Sequence, residues 1–478
     1  MKREYKGLGP WQLTMMALGT VVGGSFFLGS SVAINAAGPS ILISYILGGV
    51  LVYFILFALS EMTIANPDCG SFRTFASQTF GTGVGFVVGW VYWTGMVLAM
   101  SSEATAVSIL VREWFPGISI STLGSLVIIG VTLLNLLGAD KLSKLESGLA
   151  AVKLMAIVAF IVIGLLLIVG AISGVSAVGV GVLTSEPLMP GGITSVAGSM
   201  LIVMFTYAGF EIIGLAASEA DNPKDTVPKA IKYTVLCLVG FYTLSIVVLL
   251  PLIPTANLSE NVSPMVAALN RWNMGWAGTV INIVLISAII STMLAAMFGL
   301  GRMMKSLADE KLAPKWLKDK KDVPYRGIIF SGFSMLLGLG IGLLLPKVYL
   351  FLISSGGFAL LFTYAVIIYT HLKFRKKNGC PPEGKCQMPG YPYSSWIVLL
   401  SIIIIILSMP FIEGQASGLV AGITMTIFYS FIYLVMHYTG ITKRGKTVNR
   451  ILRKYQLKYS TELSEDLNIK INKSIKKK

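Results

Sequence analysis

The sequence predicts an all-α membrane protein with about twelve transmembrane helices. Of its 478 residues, 55% are hydrophobic and only 13% are charged, which is about half the charged fraction of soluble domains. The apolar residues lie in blocks of about twenty, long enough to cross a hydrocarbon core about 30 Å thick. A soluble core would interrupt such blocks with polar residues. The predicted spans are residues 11–36, 40–65, 82–111, 120–138, 147–173, 194–218, 230–253, 275–303, 327–346, 348–371, 394–412 and 416–438.

The basic residues predict which side of the cell membrane each end of the chain occupies. With a cytoplasmic N-terminus, only Arg112, Arg271 and Lys347 of the 38 Lys and Arg residues lie on the outer side. Basic residues concentrate in cytoplasmic segments, so residues 1–10 and the basic tail 439–478 are both expected there. The net charge of +16 is then expected to attract anionic lipid headgroups rather than nucleic acid. The oligomeric state is left open.

Two predicted spans differ from the others by a cluster of small residues at the depth of the membrane. The first has three glycines and a serine within seven residues, and the sixth has small residues next to an acidic one. In the first span Gly23 and Gly24 are adjacent, and in the sixth Gly209 follows Ala208. Glycine is about 1 kcal/mol less favourable than alanine inside a helix, so both spans are expected to unwind at these points. Irregular backbone at this depth is tolerated where it lines a cavity. The alternative is that the glycines only allow close packing of helices.

The two interrupted spans stand at equivalent places in the chain. They begin two units of five helices, residues 11–173 and 194–371, and residues 394–438 form two further helices. Interrupted segments at matching positions of two halves indicate an inverted-repeat transporter with its binding site at the midplane. The predicted fold is therefore a five-plus-five inverted repeat, LeuT-like, in which helices 1 and 6 are broken.

The polar groups at such a break suit a small zwitterion. The second half of helix 1 is expected to begin with unpaired N–H groups at Gly24, Ser25 and Phe26, and such an end attracts a carboxylate. Carbonyls near Thr20 and Val21, with others in helix 6, suit an ammonium group. The predicted binding residues are Val22, Gly23, Gly24, Ser25, Phe205, Thr206, Tyr207, Ala208 and Gly209. The two aromatic residues of this set are candidates for a gate over the substrate, with packing as the alternative.

Short motifs along the chain carry a further signal. They are Phe27-Leu28-Gly29-Ser30, Trp90-Val91-Tyr92-Trp93, Glu103-Ala104-Thr105-Ala106, Glu219-Ala220-Asp221-Asn222-Pro223-Lys224, Gly301-Arg302-Met303, Val323-Pro324-Tyr325-Arg326 and His371-Leu372-Lys373-Phe374-Arg375. In this order they resemble the amino acid transporter family of the amino acid–polyamine–organocation (APC) superfamily. The resemblance covers nearly the whole chain. It implies a secondary active transporter that moves amino acids by alternating access, usually with protons and without sodium.

Proton-coupled symport is therefore expected, with amino acid exchange or an amino acid sensor as alternatives. One position departs from the family pattern. Where the family usually has Gly-x-Gly in the break of helix 1, this chain has Gly23-Gly24-Ser25. The serine reduces backbone freedom and adds a hydroxyl beside the expected carboxylate position. This departure leaves the size and identity of the substrate open.

Three ionisable residues lie at membrane depth, where a charge costs about 2.5–3.5 kcal/mol on insertion scales. Lys153 either extends to the cytoplasmic interface or, as the resemblance implies, couples transport to protons beside helices 1 and 8. A desolvated lysine loses its proton readily. Glu103 is interpreted as a packed structural residue, a proton carrier or a contact to the side chain of the substrate. Glu211 is interpreted as a cap on unwound backbone or a proton-transfer residue. Ser287 and Ser291 of helix 8 are expected to bond either Lys153 or their own backbone.

The remaining polar residues suggest no catalysis. Glu61 and Glu219 sit at inner helix ends, where gating or loop anchoring is expected. Cys380 and Cys386 lie in a predicted cytoplasmic loop, where thiols stay reduced and too few ligands are present for a metal. Residues 440–447 match a phosphate-binding loop but follow the last span, so the match is rejected. The chain is expected to be no enzyme and to need no cofactor other than the transported proton.

Overall fold

A computed structural model describes residues 8–439, apart from residues 66–71, 138, 173, 212, 214–219, 320–322, 346, 381–386 and 413. These described residues contain fifteen α-helices and no β-strand. The helices are α1 (Pro10–Val21), α2 (Ser30–Ala37), α3 (Ile41–Ala65), α4 (Phe72–Phe80), α5 (Thr82–Val111), α6 (Ile120–Asn135), α7 (Ala139–Val169), α8 (Gly192–Thr206), α9 (Pro223–Leu252), α10 (Pro264–Arg271), α11 (Gly275–Asp309), α12 (Tyr325–Leu343), α13 (Val348–Asn378), α14 (Tyr393–Ser408) and α15 (Ala416–Tyr438).

The prediction of an all-α membrane fold with about twelve spans is confirmed. Nine described stretches are long and apolar enough to cross a membrane. The first of them, Ser25–Ala65, combines the second half of helix 1 with helix 2. Two shorter apolar helices, Ile120–Asn135 and Gly192–Thr206, correspond to the fourth and sixth predicted spans. Helix 1 below means α1, the π-helical segment Ser25–Gly29 and α2 together; helix 6 begins with α8, and helix 8 is α11.

The exposed and buried faces of the helices fit a lipid environment. Large apolar side chains such as Leu236, Leu407 and Ile427 are 73%, 65% and 64% exposed, which suits contact with hydrocarbon rather than water. The centre of the bundle is formed by α5, which packs against α11 and α13. Helix 1 lies against α7, α9 and α11. These neighbours therefore supply the side chains that reach its break.

Two short helices were missed by the sequence prediction. They are α4, in the connection after helix 2, and α10, in the connection before helix 8. The buried residues of α4 are Phe72, Arg73, Phe75 and Ala76, which recur at the three- and four-residue spacing of a helix face. That spacing was readable from the sequence. Both helices are too short to span a membrane.

Some predictions lie outside what this structure tests. The N-terminal residues 1–7, the tail beyond residue 439, Glu219 and Cys386 are outside the described residues. The cytoplasmic placement of both termini and the division into units 11–173, 194–371 and 394–438 stay predictions. The inner side below is the side that the sequence predicts to be cytoplasmic.

Candidate functional site

Helix 1 is broken where the sequence predicts. Its first half ends at Val21, and Val22 is extended, with φ −73° and ψ 103°. Helical structure resumes in the π-helical segment Ser25–Gly29. The N–H of Phe26 donates to the carbonyl oxygen of Gly23 at 3.1 Å. The expectation that Phe26 offers an unpaired N–H was therefore wrong, because the break itself supplies an acceptor.

The N–H end of this break holds a carboxylate that belongs to the protein. Glu103 of α5 accepts from the N–H of Gly24 at 2.8 Å and from the N–H of Ser25 at 3.1 Å, one on each carboxylate oxygen. A Cβ on Gly24 would overlap the Glu103 carboxylate, so glycine is what permits this approach. The sequence predicted unpaired N–H groups at Gly24 and Ser25. In the structure both of them donate to the Glu103 carboxylate.

The carbonyl end of the same break holds an ammonium group. The Nζ of Lys153, on α7, donates to the carbonyl oxygen of Gly19 at 2.5 Å and to the hydroxyl of Thr292 at 3.1 Å. That hydroxyl donates in turn to the carbonyl oxygen of Val22 at 3.0 Å. Lys153 is fully buried, so it does not extend to the interface. Lys153 thus binds the carbonyl of Gly19, not the carbonyls near Thr20 and Val21 that were expected to suit the ammonium of a substrate.

Helix 6 is broken just after α8. Gly209 has φ +103°, a conformation that glycine adopts without strain. The carboxylate of Glu211 accepts from the N–H of Gly209 at 3.1 Å. The hydroxyls of Tyr92 and Tyr364 donate to the same carboxylate at 3.0 and 3.4 Å. Of its two predicted roles, the structure places Glu211 in the geometry of a cap on unwound backbone.

The two breaks are in direct contact. The hydroxyl of Thr20, in helix 1, donates to the carbonyl oxygen of Gly209 at 3.3 Å. A Cβ on Gly209 would lie 3.1 Å from the carbonyl oxygen of Thr20, so this glycine also allows the two backbones to approach. The interrupted segments that the sequence placed at matching positions therefore meet at one point inside the bundle.

The predicted carbonyl acceptors of helix 6 already have donors. The carbonyl oxygen of Phe205 accepts from the N–H of Ala208 at 3.0 Å, and that of Thr206 accepts from the hydroxyl of Tyr242 at 3.1 Å. A carbonyl oxygen can accept a second hydrogen bond, so the expectation that these carbonyls suit an ammonium group stays a prediction. These first donors come from the local turn after α8 and from the neighbouring α9.

Four aromatic rings pack beside the contact of the breaks. Phe26 stacks on Tyr242 with centroids 3.9 Å apart, and Tyr45 and Tyr207 complete the cluster at 5.3 to 6.2 Å. The hydroxyl of Tyr207 donates to the carbonyl oxygen of Tyr45 at 2.9 Å. One of the two predicted gate residues, Tyr207, thus lies in an aromatic cluster that includes the start of the second half of helix 1.

The inner side is held by an ion pair that the sequence prediction missed. The guanidinium of Arg73, on α4, donates to both carboxylate oxygens of Glu310 at 2.9 and 2.5 Å and to the hydroxyl of Ser306 at 3.0 Å. The Arg73 side chain is fully buried, whereas that of Glu310 is 37% exposed. The sequence signal that could have indicated a buried ion pair is Arg73, a charged residue on the apolar face of α4.

A second inner cluster surrounds Glu61, which is fully buried. Its carboxylate contacts the Nε2 of His371 at 2.7 Å and the guanidinium of Arg375 at 3.0 Å. It also accepts from the N–H groups of Gln387 and Met388, each at 2.7 Å. Glu61 therefore anchors the loop before α14, one of the two roles expected for it.

Two smaller expectations concern the serines of helix 8 and the loop cysteine Cys380. Of the two alternatives for the serines of helix 8, Ser287 follows the second, because its hydroxyl donates to the carbonyl oxygen of Val284 in the same helix at 2.7 Å. The hydroxyl of Ser291 has no hydrogen-bond partner among the described residues. Thr292, the residue after Ser291, binds Lys153 instead, because its side chain points to the break of helix 1. Cys380 is disulfide-bonded rather than reduced.

The polar groups at the two breaks define what the site can do. They are backbone amides and carbonyls, two carboxylates, one ammonium and several hydroxyls, all held in a membrane-embedded bundle. Among the described residues, no group of three or more His, Cys, Asp or Glu side chains could hold a metal ion. Such a set suits the binding of a small zwitterion, and its arrangement on two broken helices is typical of a secondary transporter.

Comparison with known proteins indicates the same class of protein, a membrane transporter. The family model described as amino acid permease matches residues 12–451. The chain is 32% identical to the γ-aminobutyric acid permease of Bacillus subtilis over 93% of this chain and 96% of that protein. It is 33% identical to the γ-aminobutyric acid permease of Escherichia coli over 88% and 93% of the two chains. It is 30% identical to the aromatic amino acid transport protein of Escherichia coli over 93% and 97%.

The fold, the site and these matches together define an integral protein of the cell membrane that transports amino acids. The chain belongs to the amino acid permease family of the APC superfamily. Its relatives are named as permeases rather than as enzymes.

Proposed function

We propose that this permease is a secondary active transporter that couples the uptake of an amino acid to protons by alternating access. The observation that carries the proposal is the position of Lys153. Its buried Nζ joins Gly19 of helix 1 to Thr292 of helix 8. A charge at this depth is costly, so its protonation state and the position of helix 1 are linked.

The coupling follows from what the proton on Lys153 does. While it is protonated, the ammonium holds the first half of helix 1 against α7 and α11. When the proton leaves, the attraction to the Gly19 carbonyl weakens, and helix 1 is free to move relative to helix 8. A group whose protonation alternates with helix position couples proton movement to transport. Glu103, at the other end of the same break, is the second coupling residue.

Alternating access also requires closures that can open. On the inner side, the pairs Arg73–Glu310 and Glu61–Arg375 close the bundle. On the opposite side lies a cavity of about 420 Å³ whose lining includes Arg112, Glu113 and Asn261. An inner side held by ion pairs and an outer cavity fit a state that is closed toward the cytoplasm.

The substrate class rests on the relatives and on the site. The relatives' names include γ-aminobutyric acid and aromatic amino acids. The aromatic cluster of Phe26, Tyr45, Tyr207 and Tyr242 beside the breaks offers an apolar surface for a side chain. The substrate is an amino acid, and membrane lipids with anionic headgroups are the expected partners at the inner face.

The test is uptake of labelled amino acids into liposomes that contain the purified protein. The panel is the twenty amino acids and γ-aminobutyrate, each with and without a pH gradient that is acidic outside. Uptake that rises with the gradient in wild type and loses that dependence in Lys153→Met supports the proposal. Lys232→Met is the matched control, because Lys232 is exposed on α9. Uptake that needs an internal amino acid and ignores the gradient indicates exchange instead, and binding without counterflow indicates a sensor.

A further inference from the structure

The carboxylate of Glu103 stands where the carboxylate of an amino acid is expected to bind. Two consecutive N–H groups, of Gly24 and Ser25, donate to its two oxygens. This is the pattern in which the start of a helix receives a carboxylate. The missing side chain of Gly24 creates the space that the group fills. Glu103 is 3% exposed, so the contact is buried among α5, helix 1 and helix 8.

We propose that Glu103 is an internal substitute for the substrate: it occupies the carboxylate position of the ligand-free protein and must leave when an amino acid binds. This inference rests on the proposed function, since it assumes that the substrate binds at the break of helix 1. The exchange breaks the two hydrogen bonds to Glu103 and forms two equivalent bonds to the substrate carboxylate. No covalent bond changes.

Electrostatics makes this exchange depend on a proton. Two carboxylates that share one buried site cannot both be ionised at low cost. Glu103 therefore takes one proton from water on the open side as the substrate arrives, and returns it when the substrate leaves. The titratable groups that interact with Glu103 are Lys153 of α7, Tyr242 of α9 and Tyr349 of α13. Of these, the Lys153 ammonium attracts the ionised carboxylate and favours the ligand-free arrangement.

Two other roles for Glu103 predict different behaviour. If its carboxylate binds the ammonium of the substrate, its removal weakens binding of every probe that has an amine. If it only holds helix 1 in place, its removal lowers thermal stability and leaves affinity unchanged. As a substitute for the substrate, its removal strengthens binding of every probe that has a carboxylate.

The experiment compares wild type with Glu103→Gln by equilibrium binding in detergent, without any gradient. The probes are L-phenylalanine with phenethylamine and 3-phenylpropionate, and γ-aminobutyrate with propylamine and butyrate. Each set separates the carboxylate from the amine. Glu103→Asp is the second variant: it keeps the charge but withdraws it from the amides, so it remains informative where Glu103→Gln fails to fold. Glu186→Gln is the control, because Glu186 lies in the connection before α8 and its carboxylate accepts from the N–H of Thr255 at 2.6 Å, outside both breaks.

The inference predicts that Glu103→Gln binds the carboxylate-bearing probes about tenfold more tightly at pH 7.5, because a charged acceptor is replaced by a neutral one. Wild type approaches the affinity of Glu103→Gln as the pH is lowered and Glu103 takes up its proton, whereas the affinity of the variant stays flat. The affinity for phenethylamine and propylamine, which have only an amine, does not increase. Unchanged or weaker carboxylate binding in both Glu103 variants, or an equal gain in Glu186→Gln, overturns the inference. Failure of the proposed function appears separately, as uptake that ignores the pH gradient.

Discussion

The two helix breaks touch each other but are stabilised in different ways. The break of helix 1 is held by charged or polar side chains from three other helices: Glu103 of α5, Lys153 of α7 and Thr292 of α11. The break of helix 6 is held chiefly by Glu211, two residues beyond Gly209 in the same segment. The first break is thus assembled from distant parts of the bundle, and the second carries its own cap.

This difference separates a site whose occupants can change from one that is fixed. Partners on other helices can be displaced by a ligand or withdrawn when the bundle rearranges. A cap within the same turn moves with the backbone it holds, and Tyr92 and Tyr364 secure it further. Helix 1 is therefore where an amino acid and a proton are expected to act, whereas the break of helix 6 provides a rigid surface beside them.

The largest effect is expected from Gly24→Val. Its side chain would overlap the Glu103 carboxylate and approach Ile289, whose Cδ1 would lie 3.1 Å from the new Cβ. Neither Glu103 nor a substrate carboxylate then reaches the amides. We expect uptake to fall by about 100-fold or more, since a charge-assisted site is lost. Stabilisation by amino acids in a thermal melt should disappear with it.

The matched control for that change is Gly240→Val. Gly240 lies in α9, and a Cβ there would meet no atom within 4 Å. We expect wild-type uptake and wild-type thermal stabilisation. Equal losses in the two variants would show that valine harms the protein generally and would remove the support for a site at helix 1.

The next effect concerns Thr292→Val. The hydroxyl of Thr292 links Lys153 to the carbonyl oxygen of Val22, and valine has the same shape without it. An unpartnered buried polar group costs about 1–3 kcal/mol, so we expect uptake to fall about tenfold. Thr426→Val is the control, because the hydroxyl of Thr426 donates to the carbonyl oxygen of Gly422 within α15 itself. A loss no greater than in the control contradicts the role of Thr292.

A smaller effect, on stability rather than on affinity, is expected from Glu211→Gln. Glutamine has one side-chain oxygen to accept bonds, whereas Gly209, Tyr92 and Tyr364 all donate to the carboxylate. A buried donor left unpaired costs about 1–3 kcal/mol, so the unfolding midpoint in detergent should fall by a few degrees. Binding affinity should change little. A large loss of affinity with an unchanged midpoint would place Glu211 in the substrate site instead.

The smallest effect is expected at the inner side, for Arg73→Gln. Because Glu310 is 37% exposed, water can replace part of its contact with Arg73, which limits the effect of losing the ion pair. We expect efflux of preloaded amino acid to rise by about two- to fivefold, since the inward-closed state is weakened. The exposed pair Lys318–Asp309 gives the control, and Lys318→Gln should leave efflux unchanged.

The helical fold and the place of the breaks could be predicted because they are local properties of the chain. Apolar blocks of sufficient length define the spans, and Gly23, Gly24 and Gly209 mark where the helices unwind. The same reasoning placed free amides at Gly24 and Ser25. Local sequence cannot show what fills them, because Glu103 is 78 and 79 residues away along the chain.

The missed contacts have the same cause. Arg73 and Glu310 are 237 residues apart, and neither residue type by itself predicts the pair. Lys153 could have bound either Thr292 or the serines of helix 8, because a difference of one position rotates a side chain by about 100° around the helix. Only the packing of α7 against α11 decides between them.

The account is tested most directly by measuring proton movement together with amino acid uptake. Liposomes containing wild-type protein and a pH-sensitive dye receive the amino acid that gives the highest uptake in the panel, with no preset gradient. We predict that the interior acidifies as labelled amino acid enters, and that Lys153→Met abolishes the acidification while Lys232→Met retains it. Uptake at the wild-type rate with no change in internal pH would contradict the account.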